Sequence, residues 1–379
     1  MSRFLSPLDT SAGLEPLFIL PLPPSFGLVC KQSPASVHSS GYRSEADMMS
    51  PKSSNTQEPK SECDTQSLTD SVTDYPVENG RRYHKYHEGL YPYPNDEQEL
   101  DRLDLQHHMF RMLMKNKLYH VPLEKPLEIL DIGTGSGIWP IEMSQIFPNA
   151  TITGTDLSPV QPTEVPENVH FLVDDATEEE WLWEPNTFDF VHIGHMTGAM
   201  PSFKQLLRQC YKHLKPGAYI ECQELDPKPK CDDNTMPPEN PDGYSAFALH
   251  DWVDLSVRSS QTVEPCRQFR IAHRIERWMK EVGFVDIELR KFKLPTNPWP
   301  TDEHMKQIGV WSERNFLEAL SGWSYKPFLA LGWSKPEIEV FLVDVRKSIQ
   351  DRNVHAYMDY YVSCAKKPRP KLLPNVDER

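Results

Sequence analysis

The sequence predicts an α/β fold built on a mostly parallel sheet with helices on both faces. Three observations predict it. An apolar run, Leu127–Ile132, ends in a glycine-rich turn and continues as a helical pattern. Further apolar runs ending in acids or histidines then alternate with helical segments. The last of that series follows a helix and a Lys-Pro-Gly turn, in "LLRQCYKHLKPGAYIECQEL". Alternation of this kind packs helices onto a parallel sheet.

The 379 residues suffice for one large domain or two ordinary ones. A net charge of -15 leaves no chain-wide basic footprint, so tightly held duplex DNA is not expected as a partner. Seven cysteines, an odd number with no C-x-x-C pair, argue against a zinc site or a disulfide framework and for a reducing compartment, the cytoplasm. Residues 1–78 are rich in Ser, Thr and Pro, and are expected to form a disordered tail that cannot bury enough apolar surface to offset its ordering entropy. Their apolar run Pro16–Val29 is broken by three prolines, is too short to span a bilayer and lacks a signal peptide's basic start. Residues 369–379 read as a short polar tail.

Order is expected from residue 79. Asn95 and Asp96 precede an acidic first turn, which marks a helix start. Leu100, Leu103, Phe110, Leu113 and Met114 recur at helical spacing and predict a core-facing stripe. His107 and His108 lie on this helix without a carboxylate or cysteine at ligand spacing, so they read as structural and no metal is expected.

Next comes "LEILDIGTGSGIW". The run to Ile132 suits a strand buried on both faces. Gly133, Gly135 and Gly137 permit a tight turn and close approach of backbone to a ligand. Pro140 is tolerable in the first turn of the helix that follows. The next strand, "ATITGTD", ends at Asp156, where an acid can accept hydrogen bonds from both ribose hydroxyls. A dinucleotide enzyme requires G-x-G-x-x-G and a pyrophosphate at the helix start. This chain has G-x-G-x-G preceded by Asp131, a carboxylate that repels phosphate and suits an ammonium group. S-adenosylmethionine (SAM), with an adenosine, a sulfonium and an amino-acid end, is such a ligand. The following strand ends at Asp174 and Asp175, acids placed for an adenine amino group. The next buried strand leads into a loop with His192 and His195.

This series resembles the class I SAM-dependent methyltransferases, and more narrowly the LaeA-type fungal methyltransferase family. The narrower likeness rests on "NGRRYH", "NDEQELDRLDLQHHMF", "LDIGTGSGIW", "GTDLSPVQP", "LLRQCYKHLKPGAYIECQELD", "KCDD" and "VHAYMDYYVSCAKKP". It covers about residues 79–368. The resemblance implies a Rossmann-like sheet of seven strands with the last antiparallel, SAM as cofactor, and a setting in fungal secondary metabolism. It also implies a cofactor site made of Asp131, Gly133, Thr134, Gly135, Gly137, Asp156, Leu157, Asp174 and Asp175. Two departures place the chain nearer the paralogous cluster enzymes than the regulators that work with velvet-type partners. The loop Gly194–Met200 reads "GHMTGAM", and Thr134 stands where the regulators' glycine motif usually carries Cys.

Two helical insertions are expected, at about residues 227–277 and 302–351. The second carries Trp311, Phe316, Leu320, Trp323, Phe328 and Trp333 at helical spacing, which suits core packing or a roof over an apolar acceptor. Neither an Asn/Asp-Pro-Pro-Tyr motif nor a paired-glutamate loop follows the fourth strand, which disfavours DNA-amino and arginine acceptors. The expected function is methyl transfer to an apolar small molecule, with His192 and His195 as candidates for a general base. The alternative is a nuclear regulator acting on gene expression through velvet-type partners.

Overall fold

The computed structural model describes residues 75–86, 91–240 and 242–370. Most of the Ser/Thr/Pro-rich tail, up to residue 74, and residues 371–379 lie outside the described residues. A short hairpin, β1 (Val77–Glu78) with β2 (Arg81–Arg82), leads to α1 (Glu97–Leu113). Asp96 caps that helix: its carboxylate accepts the Glu99 N–H at 3.1 Å, while the Arg81 guanidinium pairs with it at 2.6 Å.

The sheet follows from the buried apolar runs. β3 (Glu128–Ile132), α2 (Ile138–Ile146), β4 (Thr151–Asp156), β5 (Val169–Val173), β6 (Phe188–Gly194), α3 (Phe203–His213) and β7 (Leu214–Lys230) come first. Then come α4 (Leu249–Thr262), a 3-10 turn at Ala272–Arg274, α5 (Ile275–Val282), β8 (Val285–Pro295), α6 (Glu303–Ala330), α7 (Lys335–Gln350) and β9 (Tyr357–Lys366). The seven strands lie in the order β5-β4-β3-β6-β7-β9-β8. Pairings from β5 to β7 are parallel, whereas β9 runs antiparallel between β7 and β8. This is the expected sheet, with the chain's last strand reversed.

Side-chain alternation along each strand divides the core in two. Ile129, Ile152 and Phe190 face a cluster with Met109 and Phe110 of α1, Trp139 of α2, Trp252 of α4 and Phe328 of α6. Leu130, Val191 and Ile220 face a second cluster with Leu206 and Leu207 of α3 and Trp278 of α5. The strand order reverses beside β3, between β4 and β6. A ligand crevice opens there, at the carboxyl ends of the strands.

Two local expectations need correction. Lys215-Pro216-Gly217 is not a free turn but an irregular start of β7: Gly217 has φ +88° and the pairing with β6 jumps from Leu214 to Tyr219. The α1 stripe is also not purely apolar. Phe110, Leu113 and Met114 are buried, but Leu100 and Leu103 are only partly covered. Glu99, Arg102 and Gln106 are buried in their place, because α6 supplies polar partners for them. Arg102 donates to both oxygens of Glu99 at 3.0 and 2.7 Å, to Gln106 Oε1 at 2.9 Å and to Asn315 Oδ1 at 2.7 Å. Its guanidinium also lies over the Trp323 ring.

Candidate active site

The cavity at the strand ends is walled by the loops after β3, β4, β5 and β6 and covered by α1. Gly133, Gly135 and Gly137 all have positive φ, a conformation that side chains resist. The turn they make is closed on the protein itself. The Gly133 and Thr134 N–H groups both donate to Thr155 O at 2.9 Å. The Gly135 N–H donates to Asp156 Oδ2 at 2.9 Å and the Gly137 N–H to Thr134 O at 3.0 Å. Among the described residues only the Ser136 N–H of this loop is left free, so no amide cradle remains for a pyrophosphate.

Residues of the stretches "NDEQELDRLDLQHHMF" and "GTDLSPVQP" hold this loop in place. Gln161 Nε2 donates to Gly135 O at 2.7 Å and to Ser158 O at 3.0 Å. Asn95 Nδ2 donates to Ser158 Oγ at 3.1 Å, and the Ser136 hydroxyl donates to Asp104 of α1 at 2.6 Å. These polar ties span up to 63 residues of sequence, and spacing alone gives no sign of them.

The expected cofactor residues converge with one exception. Asp131, Gly133, Thr134, Gly135, Asp156, Leu157, Asp174 and Asp175 all line the cavity, as do His192 and His195. Gly137 does not. It is the N-cap of α2, and a Cβ there would come 2.5 Å from the Phe171 ring, so this glycine serves helix–strand packing. The wall also contains Leu103, Gln106, His107, Phe110 and Arg111 of α1, Trp139, and Arg267 of the first insertion. The α1 periodicity carried a signal for Phe110; Arg267 had none. No residue of α6 or α7 lines the cavity. The second insertion therefore does not roof the site directly. Phe316, Leu320 and Phe328 are core, and the insertion acts by supporting α1.

Asp156 sits at the end of β4 with Oδ1 accepting the Ser158 N–H at 3.0 Å and Oδ2 the Gly135 N–H. Each oxygen retains a second lone pair for a ribose hydroxyl. Burial pushes its carboxyl up to about 6, against the pull of those amides and with a smaller push from Asp131. Asp174 is also raised to about 6, by burial and then by Glu178 and Asp175. Asp175 is more deeply buried and accepts the Thr177 N–H at 2.9 Å. Both raised acids bind protons in the folded chain up to about pH 6, above the unfolded range, and the proton removes the charge and turns one oxygen into a donor, which weakens acceptance. Affinity for SAH, the demethylated product of SAM, is therefore expected to rise at least about fivefold from pH 5 to pH 7.5. Calorimetry checks this, and a flat profile would remove these acids from the contact.

Asp131 and His192 are neighbours across β3 and β6, and the His192 Nδ1–H donates to Asp131 Oδ1 at 2.7 Å. The imidazole stacks on Trp139 with centroids 4.0 Å apart, and its Nε2 is buried without a partner. Asp131 Oδ2 remains for an ammonium group. His195 has φ +57° and stacks on Phe110 and Tyr360. Burial, with His192 and Arg102 nearby, lowers its pKa to about 3, so it is neutral near pH 7. Among the described residues no His/Cys/Asp/Glu group is arranged to hold a metal ion.

These features fit SAM. The loop offers no phosphate cradle, acids stand at three successive strand ends, and three buried polar atoms on the wall lack partners: Thr134 Oγ1, His192 Nε2 and Arg111 Nε. A protein-family model described as a methyltransferase domain matches residues 105–289. The methyltransferase pytC of Aspergillus terreus is 39% identical over 305 residues, covering 80% of this chain and 91% of its own. The secondary metabolism regulator LAE1 of Cochliobolus heterostrophus is 34% identical, over 77% of this chain and 95% of its own. The protein-methionine methyltransferase laeA of Emericella nidulans is 33% identical, over 77% and 76% respectively. The protein is thus a SAM-dependent methyltransferase, and the chain belongs to the LaeA-type fungal family.

Proposed function

We propose that this enzyme methylates an apolar small molecule of a fungal biosynthetic pathway, in the cytoplasm. The make-up of the cavity wall is the observation that carries the reading. α1 covers the cavity, and the wall beyond the glycine loop is largely apolar, with Tyr91, Phe110, Met114 and Met196. Gln106 Nε2 and the His195 ring have no hydrogen-bond partner among the described residues, which leaves them to orient a polar atom of the acceptor. A covered, mostly apolar cavity with a few placed polar groups suits a small molecule. The kinship with pytC, a methyltransferase by name, agrees with this reading. No described helix is long and apolar enough to cross a membrane.

Asp131, Asp156 and the Asp174–Asp175 pair would hold the ammonium, ribose and adenine ends of the cofactor, with Gly133, Thr134, Gly135 and Leu157 shaping the wall between them. Bound SAM supplies a methyl group already activated on a sulfonium. The chain's main task is then alignment of the acceptor, which is where orientation lowers a barrier most. For a hydroxyl acceptor, His192 is the better base. Asp131 fixes the proton on Nδ1, leaves the lone pair on Nε2, and stabilises the imidazolium that forms. The Trp139 face stabilises the same cation. His195, lowered to about 3, cannot retain a proton near neutrality.

The test uses methyl-labelled SAM with the purified protein and an extract of the producing organism. Label in organic-extractable small molecules supports the reading. Label confined to protein would overturn it and favour the regulator's route, with velvet-type partners and a nuclear setting. Once an acceptor is identified, His192→Asn should slow transfer on the order of tenfold. That is less than a positioned base usually contributes, because the electrophile is already activated. His195→Asn should remain within about threefold. The reverse ranking would move the base to His195.

A further inference from the structure

SAM and SAH each carry a carboxylate beside the ammonium group, and none of the strand-end acids can hold it. Asp131, Asp156, Asp174 and Asp175 are all acids. The glycine-loop amides, apart from Ser136, are spent on Thr155, Asp156 and Thr134. The ligand's single anionic group is held most strongly by a cation elsewhere on the cavity wall.

The wall has five candidates: His107, Arg111, His192, His195 and Arg267. His195 is held neutral by burial, and His192 directs Nδ1 to Asp131. Arg267 donates to Ala199 O at 2.6 Å and interacts with Asp175, which places it toward the adenine side. His107 and Arg111 remain. They stand one turn apart on α1 and converge on Glu142 of α2, one turn beyond Trp139. His107 Nε2 is 2.8 Å from Glu142 Oε2, and Arg111 Nη1 pairs with the same oxygen. Arg111 Nη2 donates to Asn116 O at 3.0 Å. Its Nε is buried and has no partner.

A guanidinium fixed through two nitrogens, with the N–H of its third nitrogen unused, is prearranged for one more acceptor. The Glu142 carboxyl, held below its usual range by His107 and then Arg111, offsets one positive charge of this cluster. The His107 ring holds the Glu142 carboxylate from the same helix face, which leaves the Arg111 Nε for the ligand. The position is also right. α1 crosses the glycine loop, with Asp104 bonded to Ser136, and Arg111, two turns further along, lines the same cavity as Trp139, Asp131 and His192.

We propose that Arg111, assisted by His107, anchors the carboxylate of the cofactor's methionine end. This rests on the SAM reading of the cavity and assigns to α1 a contact that the strand ends cannot make.

The test is calorimetry on the full chain with two probes: SAH, and the same molecule with hydrogen in place of its carboxylate. The wild-type protein should prefer SAH by about tenfold or more. Arg111→Met should weaken SAH about 10- to 20-fold and leave the decarboxylated probe within about twofold, so that the preference disappears. Arg111→Lys keeps a charge without the fork and should retain part of the preference. Equal losses for both probes would make Arg111 a structural support of α1 and overturn the proposal, as would unchanged SAH affinity. Should Arg111→Met fail to fold, the wild-type preference and the Lys variant decide, and equal wild-type affinities overturn it. A wild-type protein that binds neither probe would overturn the cofactor reading itself, and this inference with it.

Discussion

Arg102→Ala is expected to cost about 3–5 kcal/mol of stability, the usual penalty for removing one partner of a buried ion pair. Arg102 is 2% exposed and Glu99 5%. Without the guanidinium, the Glu99 carboxylate keeps one other cation nearby, Arg81 at 3.9 Å. The Gln106 and Asn315 side-chain oxygens lose their Arg102 donor as well. For a domain of this size the loss corresponds to a melting temperature lower by about 6–15 °C. The charged pair is not needed for stability as such. The double variant Arg102→Met with Glu99→Leu should recover much of the loss, since apolar residues of similar volume often replace a buried pair without penalty. SAH affinity should fall in Arg102→Ala too, because α1 carries the cavity wall. A shift in melting temperature under about 2 °C would show that the network is wet and that α6 does not hold α1 through it.

That network explains what was legible in the sequence and what was not. The centre of the sheet was legible because β3, β4 and β6 are short, mostly buried apolar runs, and the glycine turn marks the sharp bend after β3; β8, charged and mostly exposed, carries no such pattern. The acids at the ends of β3, β4 and β5 were legible because each is the first charged residue after, or the last within, such a run. The buried face of α1 was misread because Glu99, Arg102 and Gln106 count as surface residues in any hydrophobic pattern. They are inside only because Asn315 and Trp323 arrive from more than 200 residues away. The aromatics of α6 suit either core or a cavity roof by their spacing, and Phe316, Leu320 and Phe328 prove to be core. Helical spacing shows that a face is buried but not what it is buried against. Gly137 was grouped with the ligand-facing glycines because all three share a motif. Its neighbour is the Phe171 ring, a contact set by β5 and not by the motif. Arg111 is illegible in the sequence for a third reason: its significance lies in one unused nitrogen, which only the placement of Glu142 and Asn116 reveals.

Asp156→Ala is expected to weaken SAH binding about 30- to 150-fold, or about 2–3 kcal/mol, through loss of two charge-assisted bonds to the ribose. The structure adds a second consequence. The same carboxylate accepts the Gly135 and Ser158 N–H groups, so its removal also loosens the glycine turn against β4. Some loss of thermal stability should accompany the loss of affinity, about 1–2 kcal/mol, since water can reach these partly open amides. The Asn variant separates the two roles. For an acid that met only the ribose, Asn would be intermediate, because an amide oxygen still accepts. Here both oxygens already face backbone N–H donors, and an Asn must turn its own NH2 toward one of them. Asp156→Asn should therefore bind SAH no better than Asp156→Ala and melt no higher. Asp174→Asn is the comparison, since no backbone N–H from the glycine turn depends on that acid, and it should lose only binding. An Asp156→Asn protein of intermediate affinity and wild-type stability would mean that the turn does not rely on Asp156, leaving the acid a ribose contact alone.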